Sequence, residues 1–592
     1  MAVAADSVIL PEPGLLIRCF ASGLSDEQLL VQRNFLDLLV THVPLSSPIL
    51  QSRITKDDLQ RLVIAAVGVV TRRDMSLNRR LWAWLLGPES EKSRSSFDAR
   101  KSSSDNTNRS NDWESPQSQY FSQFGFKPLV NGLLEMIDQD MRAPSERTRS
   151  SRISLSLMDR WEIGGQIVPS VFLPIMRNVK AFEAVASRPQ FGEVFRSASA
   201  FFDGVEGGMI FSEILDLIDW KHDDIGKQHD KVMNNLKLAQ FVIENFNVRE
   251  EDMVLIHIPL LVLMLLVKTS GLSSMGEHLA TWKQRQSTSN SLMRVIHSLV
   301  GLLTERTFTT RASSDKSFKE IETESTKIPE TIHQFYDQSK SSLDLPSLPF
   351  GPKHLAELII REAHELAISA LEGRDDVSPI QERVNLLVTL LRKLPPSRVL
   401  RDRRLYSAMC NRMDSEKTTS TTHSFSVISS VTSAVTSLYL IYTPGFYLSY
   451  EDVSDLVPAL VRRLWQYLSP LSPKFHVEAV RCLWLLHSAS WQDHLVEASI
   501  TSLMIGSPSP GTHHIASEAA VQKYFVLWNH SHHGTYELPP KQVDDLGHSH
   551  LAYHSSMLVR PLFIVLDLLA HGTTQVSQEV QRWIQDVPFI HR

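Results

Sequence analysis

Two groups of arginines are the residues best placed to do chemistry in this sequence. Arg72, Arg73, Arg79 and Arg80 flank the start of one apolar helical stretch, and Arg398, Arg401, Arg403 and Arg404 follow a Pro395-Pro396 pair. A guanidinium offers planar donors to carboxylate or phosphate. Anionic phospholipid headgroups attract such clusters at about 1 kcal/mol per basic residue near the surface. Asp74, Asp402 and nearby acids are placed to neutralise both groups, so the residues favour structural ion pairs and solvated faces over a lipid-facing patch. A third setting is Arg147-Thr148-Arg149-Ser150-Ser151-Arg152, where hydroxyls sit among basic residues in what reads as a polar join. Phosphate on Ser150 or Ser151 would turn a positive patch negative there; an unmodified linker is the competing reading.

Catalytic constellations are hard to assemble from the remaining residues. Arg73-Asp74 with Asn78 is close to the protein-kinase RDxxxxN loop, but the asparagine comes one residue early, and no Gly-rich loop, paired lysine or DFG accompanies it. Gly226-Lys227 has Lys221 where a P-loop needs its first glycine, and His364-Glu365 has no second histidine at zincin spacing. His530, His532 and His533, with His548, His550 and His554 beyond, are candidate metal ligands by type. They fall in a Gly/Pro-punctuated stretch with no carboxylate or cysteine at ligand spacing. The expectation is therefore a non-enzyme with no catalytic residue, no metal and no cofactor.

The elements that position these residues read as helices. Ser25 and Gln28 have capping-box spacing ahead of a helix running to Pro44, with Leu29, Gln32, Phe35, Leu36 and Leu39 on one stripe and Arg33 and Asp37 facing water. Thr55-Lys56-Asp57-Asp58 opens a second helix, apolar nearly all round from Leu59 to Val70. A third, capped by Ser76, carries Leu77, Leu81, Trp84 and Leu85 on one face and stops at Gly87-Pro88. Arg79 and Trp82 fall on another side of it.

Further helical patterns recur downstream. They cover 127–140, two helices split at Gly164-Gly165, 208–220, 231–245, 253–268, 291–305, 354–371, 379–394, 450–468, 475–489, 516–528 and 557–571. Polar joins fall at 89–119, 143–152 and 307–327, and the Ser/Thr-rich 415–437 reads as a loop or a helix of poor propensity. Serial short helices bury little alone, and the expected fold is all-α: a HEAT/armadillo-like α-solenoid of antiparallel helix pairs with long loops. The expected segments are 1–88, a linker at 89–119, helical repeats at 120–306, a polar, proline-rich linker at 307–350, and a second repeat region at 351–592.

Composition agrees with this. The 592 residues are 42% hydrophobic with a net charge of −6, so no global positive field argues for nucleic acid. The three cysteines, Cys19, Cys410 and Cys482, are too scattered for a disulfide framework or a cysteine zinc site. No basic residue precedes Arg18, the opening has no signal-peptide run, and Met-Ala excludes myristoylation. The most apolar window, Met253 to Val267, is shorter than the ~20 residues a bilayer crossing needs, which points to a buried core helix. Membrane association is then expected to be peripheral or through partners.

QRNFLDLLVTHVPL and above all RRDMSLNRRLWAWLLG closely resemble the N-terminal region of the Dopey family. The resemblance continues through LMDRWEIGGQIVPSVFLPIMR and, more loosely, RPLFIVLDLLAH. Only some twenty-five residues precede the VQRNFLDLLV region, fewer than the family has there, so both ends are expected to fall inside a longer family chain. The resemblance implies a helical, non-enzymatic scaffold in vesicle traffic between endosomes and the Golgi, on the cytosolic face of those membranes. It implies as partners a large Arf-exchange-factor-like Golgi scaffold, a phospholipid flippase and membranes bearing phosphoinositide. The two arginine groups supply the candidates for a docking or lipid-contact surface: Arg72, Arg73, Arg79, Arg80, Arg401, Arg403 and Arg404.

Overall fold

A computed structural model describes residues 13–87, 115–138, 144–220, 228–273, 279–308, 325–341, 348–373, 377–394, 403–415, 424–440, 450–471, 473–489, 494–505, 517–533 and 551–586. Among these residues every regular element is a helix. The expected linker at 89–119 lies outside the described residues up to 114, and most of the 307–327 join does too; from Ser115 onward the first is already a helix N-terminus.

The chain divides into two compact units, one of residues 1–257 with 330–348, the other of 258–329 with 349–592. The first unit holds α1 (Pro13–Leu24), α2 (Leu29–His42), α3 (Lys56–Gly68), α4 (Met75–Leu86), α5 (Pro116–Phe124) and α6 (Phe126–Asp138). It continues with α7 (Pro144–Leu157), α8 (Trp161–Glu183), α9 (Arg188–Asp203), α10 (Gly207–Ile218) and α11 (His229–Asn245). Helices two or three apart in sequence stack, α1 on α3, α2 on α4, α3 on α6 and α6 on α8, the pattern of layered helix pairs. Helix α1 was not foreseen, although Ile17, Phe20 and Leu24 recur at helical spacing and are buried.

The second unit holds α12 (Ile258–Ser273), α13 (Leu279–Leu302), α15 (Pro352–Glu372), α16 (Val377–Lys393), α17 (Arg404–Ser415) and α18 (Ser424–Leu440). Then come α19 (Tyr450–Gln466), α20 (His476–Ala489), α21 (Leu495–Ile505), α22 (Glu518–His533), α23 (Leu551–His571) and α24 (Thr574–Asp586). From α15 to α23 each helix packs on the next but one. Helix α14 (Ile328–Ser341), flanked in sequence by two stretches of the second unit, sets Phe335 and Tyr336 into the first unit, where the Tyr336 hydroxyl lies 2.9 Å from His257 Nδ1. Burial pushes the His257 pKa down to about 4.

Several local expectations are corrected. Ser25 is not a capping-box residue: its hydroxyl donates to the Ala21 carbonyl at the end of α1, and Asp26 accepts the Gln28 N–H instead. Asp74, not Ser76, caps α4, accepting the N–H groups of Ser76 and Leu77. Gly164-Gly165 lies inside one continuous helix, α8; a Cβ on Gly164 would come within 2.9 Å of Met158 Cα, so that glycine serves close packing rather than a break. Of the two readings of the Ser/Thr-rich stretch, loop or helix, its described part from Ser424 is the helix, α18, and is largely buried, with Thr436 returning its hydroxyl to the Thr432 carbonyl. The apolar run at 253 extends to Leu272, long and apolar enough to cross a membrane by length and composition alone, and Ile258 and Leu260 to Leu266 are all but fully buried.

Candidate docking surface

The first arginine group is arranged by the α3–α4 corner. Helix α3 is held at its start by Thr55, which accepts the Asp58 N–H, while the Arg18 guanidinium on α1 and the Thr55 hydroxyl hold the Asp58 carboxyl below its usual range. Its last turn tightens into a 3₁₀ segment, Val69–Arg72, and the chain reverses through Arg73 at φ 55°, ψ 33°, a left-handed conformation costly for a side chain other than glycine. Asp74 then starts α4. Ser76 and the Leu77 N–H, with Arg33, keep the Asp74 carboxyl well below the usual range. That one carboxylate is therefore committed to the cap and to Arg33 at 2.8 Å.

The inner face of α4 is core: Leu77, Leu81, Trp84 and Leu85 are at most 1% exposed, and the Trp84 indole donates to the Val43 carbonyl. The outer face is different. Arg80 reaches Asp37 on α2 at 2.6 Å. Among the described residues Arg72 donates to the Asp26 carbonyl at 3.3 Å. No carboxylate among the described residues pairs with Arg72, Arg73 or Arg79, and all three are exposed. Met75, one turn before Arg79 on the same side, is 83% exposed. Arg149 of α7 joins this edge, its guanidinium lying 2.8 Å from where a Cβ on Gly68 would be. Neither Met75 nor Arg149 was foreseen; the i, i+4 step from Met75 to Arg79 carried the signal for the first, and nothing local carried it for the second.

The second arginine group is a set of ties. Arg403 lies 2.6 Å from Asp452 of α19, whose carboxylate is 8% exposed, and Arg404 lies 3.0 Å from Glu365 of α15. Arg398 and Arg401 lie outside the described residues. The two groups are in different units.

Ser150 and Ser151 do not stand in a polar join. They lie in α7 and are 5% and 3% exposed, with Thr148 and Ser154 fully buried beside them, because these small side chains let α9 approach. The Ser150 hydroxyl bonds back to the Arg147 carbonyl, and Ser197 of α9 reaches the Thr148 carbonyl. His530, His532 and His533 belong to the end of α22 rather than to a loop, and His530 meets His476 ring edge to ring. Among the described residues no three His, Cys, Asp or Glu side chains converge as a metal site.

Comparison with known proteins sets this geometry in a family. The description "Dopey, N-terminal" matches residues 2–90, "DOP1 middle TPR domain" matches 120–336, and "DOP1B-like, TPR repeats" matches 404–588. The repeats are thus described as TPR, within the helix-pair architecture expected. The chain is 58% identical to Protein dop1 of Emericella nidulans over 596 residues, covering all of this chain and 32% of that protein. It is 29% identical to Protein DOP1 of Saccharomyces cerevisiae over 68% of this chain and 22% of that one, and 30% identical to Protein DOP1B of Xenopus laevis over 28% and 8%. A solved structure of importin beta aligns over 96% of this chain and 74% of that chain, but at a TM-score of 0.22 and 9% identity it carries no argument. The chain spans about a third or less of these relatives. With three family descriptions laid in order along it and a relative this similar over its whole length, the chain belongs to the Dopey family.

Proposed function

We propose that this chain is part of a non-enzymatic helical scaffold for vesicle-mediated protein transport between endosomes and the Golgi, held peripherally on the cytosolic face of those membranes. Its partners in this reading are a large Arf-exchange-factor-like Golgi scaffold and a phospholipid flippase. The observation that carries it is the α3–α4 edge, where Arg72, Arg73 and Arg79 are exposed and pair with no carboxylate among the described residues, while neighbouring cations are tied. Stacked helix pairs give such an edge a rigid base and a long adjoining face, which is how solenoids bind without a catalytic pocket. The test is location and company: the tagged full-length protein should sit on Golgi and endosome membranes and co-isolate the exchange-factor-like scaffold. A diffuse cytosolic protein that recovers neither partner overturns the reading.

The same exposed guanidinia support a second reading, direct contact with anionic or phosphoinositide-bearing lipid. Sedimentation with vesicles separates the two. Lipid contact predicts binding that requires acidic lipid, weakens with salt and falls on reversal of Arg72, Arg73 and Arg79.

A further inference from the structure

Helix α14 occupies an unusual place in the chain. The first unit ends at His257 and takes back only residues 330–348, which hold nearly all of α14, while 258–329 and everything from 349 belong to the second. The layers of the second unit close past this helix, α15 packing directly on α12 and α16 on α13. One face holds α14 in the first unit. Ile332, Phe335 and Tyr336 recur at i, i+3 and i+4 and are at most 4% exposed, whereas Glu330, Gln334, Asp337 and Gln338 face water. Their seat is built from α10 and the turn Met253–His257. The Phe211 and His257 rings stack with centroids 5.3 Å apart, and the Tyr336 and Phe335 rings lie 5.6 Å and 6.5 Å from that imidazole. Gly207 at the start of α10 permits the approach, since a Cβ there would stand 3.2 Å from Met253. Two polar contacts fix the register: Tyr336 pairs with His257 at 2.9 Å, and His333 lies 3.7 Å from Asp219 just past the end of α10.

We propose that this seat is a docking site for an amphipathic helix of a partner protein, and that α14 is its built-in occupant, released when the partner binds. An amphipathic helix laid by apolar anchors into an aromatic seat is how helical peptides are held in grooves. Helix α14 is itself the template for what the seat accepts: an aliphatic side chain, an aromatic one three residues on, and a tyrosine at the fourth whose hydroxyl meets His257. At 14 residues α14 is too short to be a stable helix when detached, so it is helical because it is seated. Joined to the chain at both ends, it competes at an effective concentration on the order of mM. Only a partner helix with better anchors displaces it, which makes docking selective and keeps the apolar seat covered until then.

Fluorescence anisotropy with a labelled peptide of residues 328–341 tests it on the full chain. The variant Phe335→Ala with Tyr336→Ala removes the built-in anchors and leaves the seat intact, so it should bind the peptide about a hundredfold more tightly than the wild type, whose own helix competes. A peptide carrying Tyr336→Phe should bind that variant about fivefold more weakly, the loss of one neutral hydrogen bond. Adding His257→Ala to the variant should erase the difference between the two peptides. Hydrogen exchange on the wild type should show the α14 amides opening faster than those of α10 and α11. A variant that melts as the wild type does yet takes up no peptide overturns the proposal, as does a scrambled peptide that binds equally well. So does exchange protection of α14 equal to that of α10 and α11, and so does a variant that fails to fold, since α14 is then a fixed part of the unit.

Discussion

RRDMSLNRR and the later RDRR look alike as text, and the fold treats them oppositely. In the second group Arg403 and Arg404 each meet a carboxylate from another helix, so the cations are cross-ties between neighbouring layers. In the first, Asp74 is taken up by the α4 cap and Arg33, and Asp37 by Arg80, which leaves Arg72, Arg73 and Arg79 facing water beside an exposed methionine. Whether a basic cluster is structural or available is thus decided by where the nearest acids are already committed.

The largest effect should come from beneath the first group. Trp84→Ala removes a fully buried indole and its bond to Val43, a loss of about 3 to 5 kcal/mol, read as a lower melting temperature of the first unit. If that variant melts normally, α4 does not anchor the edge. Next is Arg403→Ala, expected to cost about 1 kcal/mol because it withdraws a guanidinium from the nearly buried Asp452, the arginine itself being largely exposed. A negligible change would make the second group as idle structurally as the first.

A smaller effect concerns acid. Asp74 and Asp58 both have carboxyls held below their ordinary value near 3.8, so the unfolded chain binds protons more readily than the folded one. Their contribution is fully present above about pH 4 and is lost as pH falls further. Asp74→Asn should flatten the acid limb of the first unit's stability curve; an unchanged slope between pH 4 and 2 would mean the carboxylate is not committed as described.

The helical class, the α3 core and the inner stripe of α4 were legible in the sequence because large apolar residues mark them by period. What escaped was written in small or polar residues. Thr148, Ser150 and Ser151 read as linker, yet their small volume, with that of Ser154, is what lets α7 and α9 pack closely; Ser430, Thr432 and Thr436 likewise left loop and helix undecided for α18. The arginines were found as types, but their availability was not, since it depends on which distant acid folds against each one. Arg80 reaches across to Asp37 and Arg33 to Asp74, separations of 43 and 41 residues that no local pattern encodes.

The central claim is that the α3–α4 edge is free to dock while the second group is not. It is tested by measuring, on the same full-length variants, thermal melting and recruitment to Golgi membranes in cells. Arg72→Glu, Arg73→Glu and Arg79→Glu together should leave the melt within about 0.5 kcal/mol of wild type, as expected for exposed unpaired cations, and abolish recruitment. Arg403→Glu with Arg404→Glu should do the reverse, lowering the melt while the chain that remains folded is still recruited. Loss of stability in the first variant, or normal recruitment of it, would contradict the account.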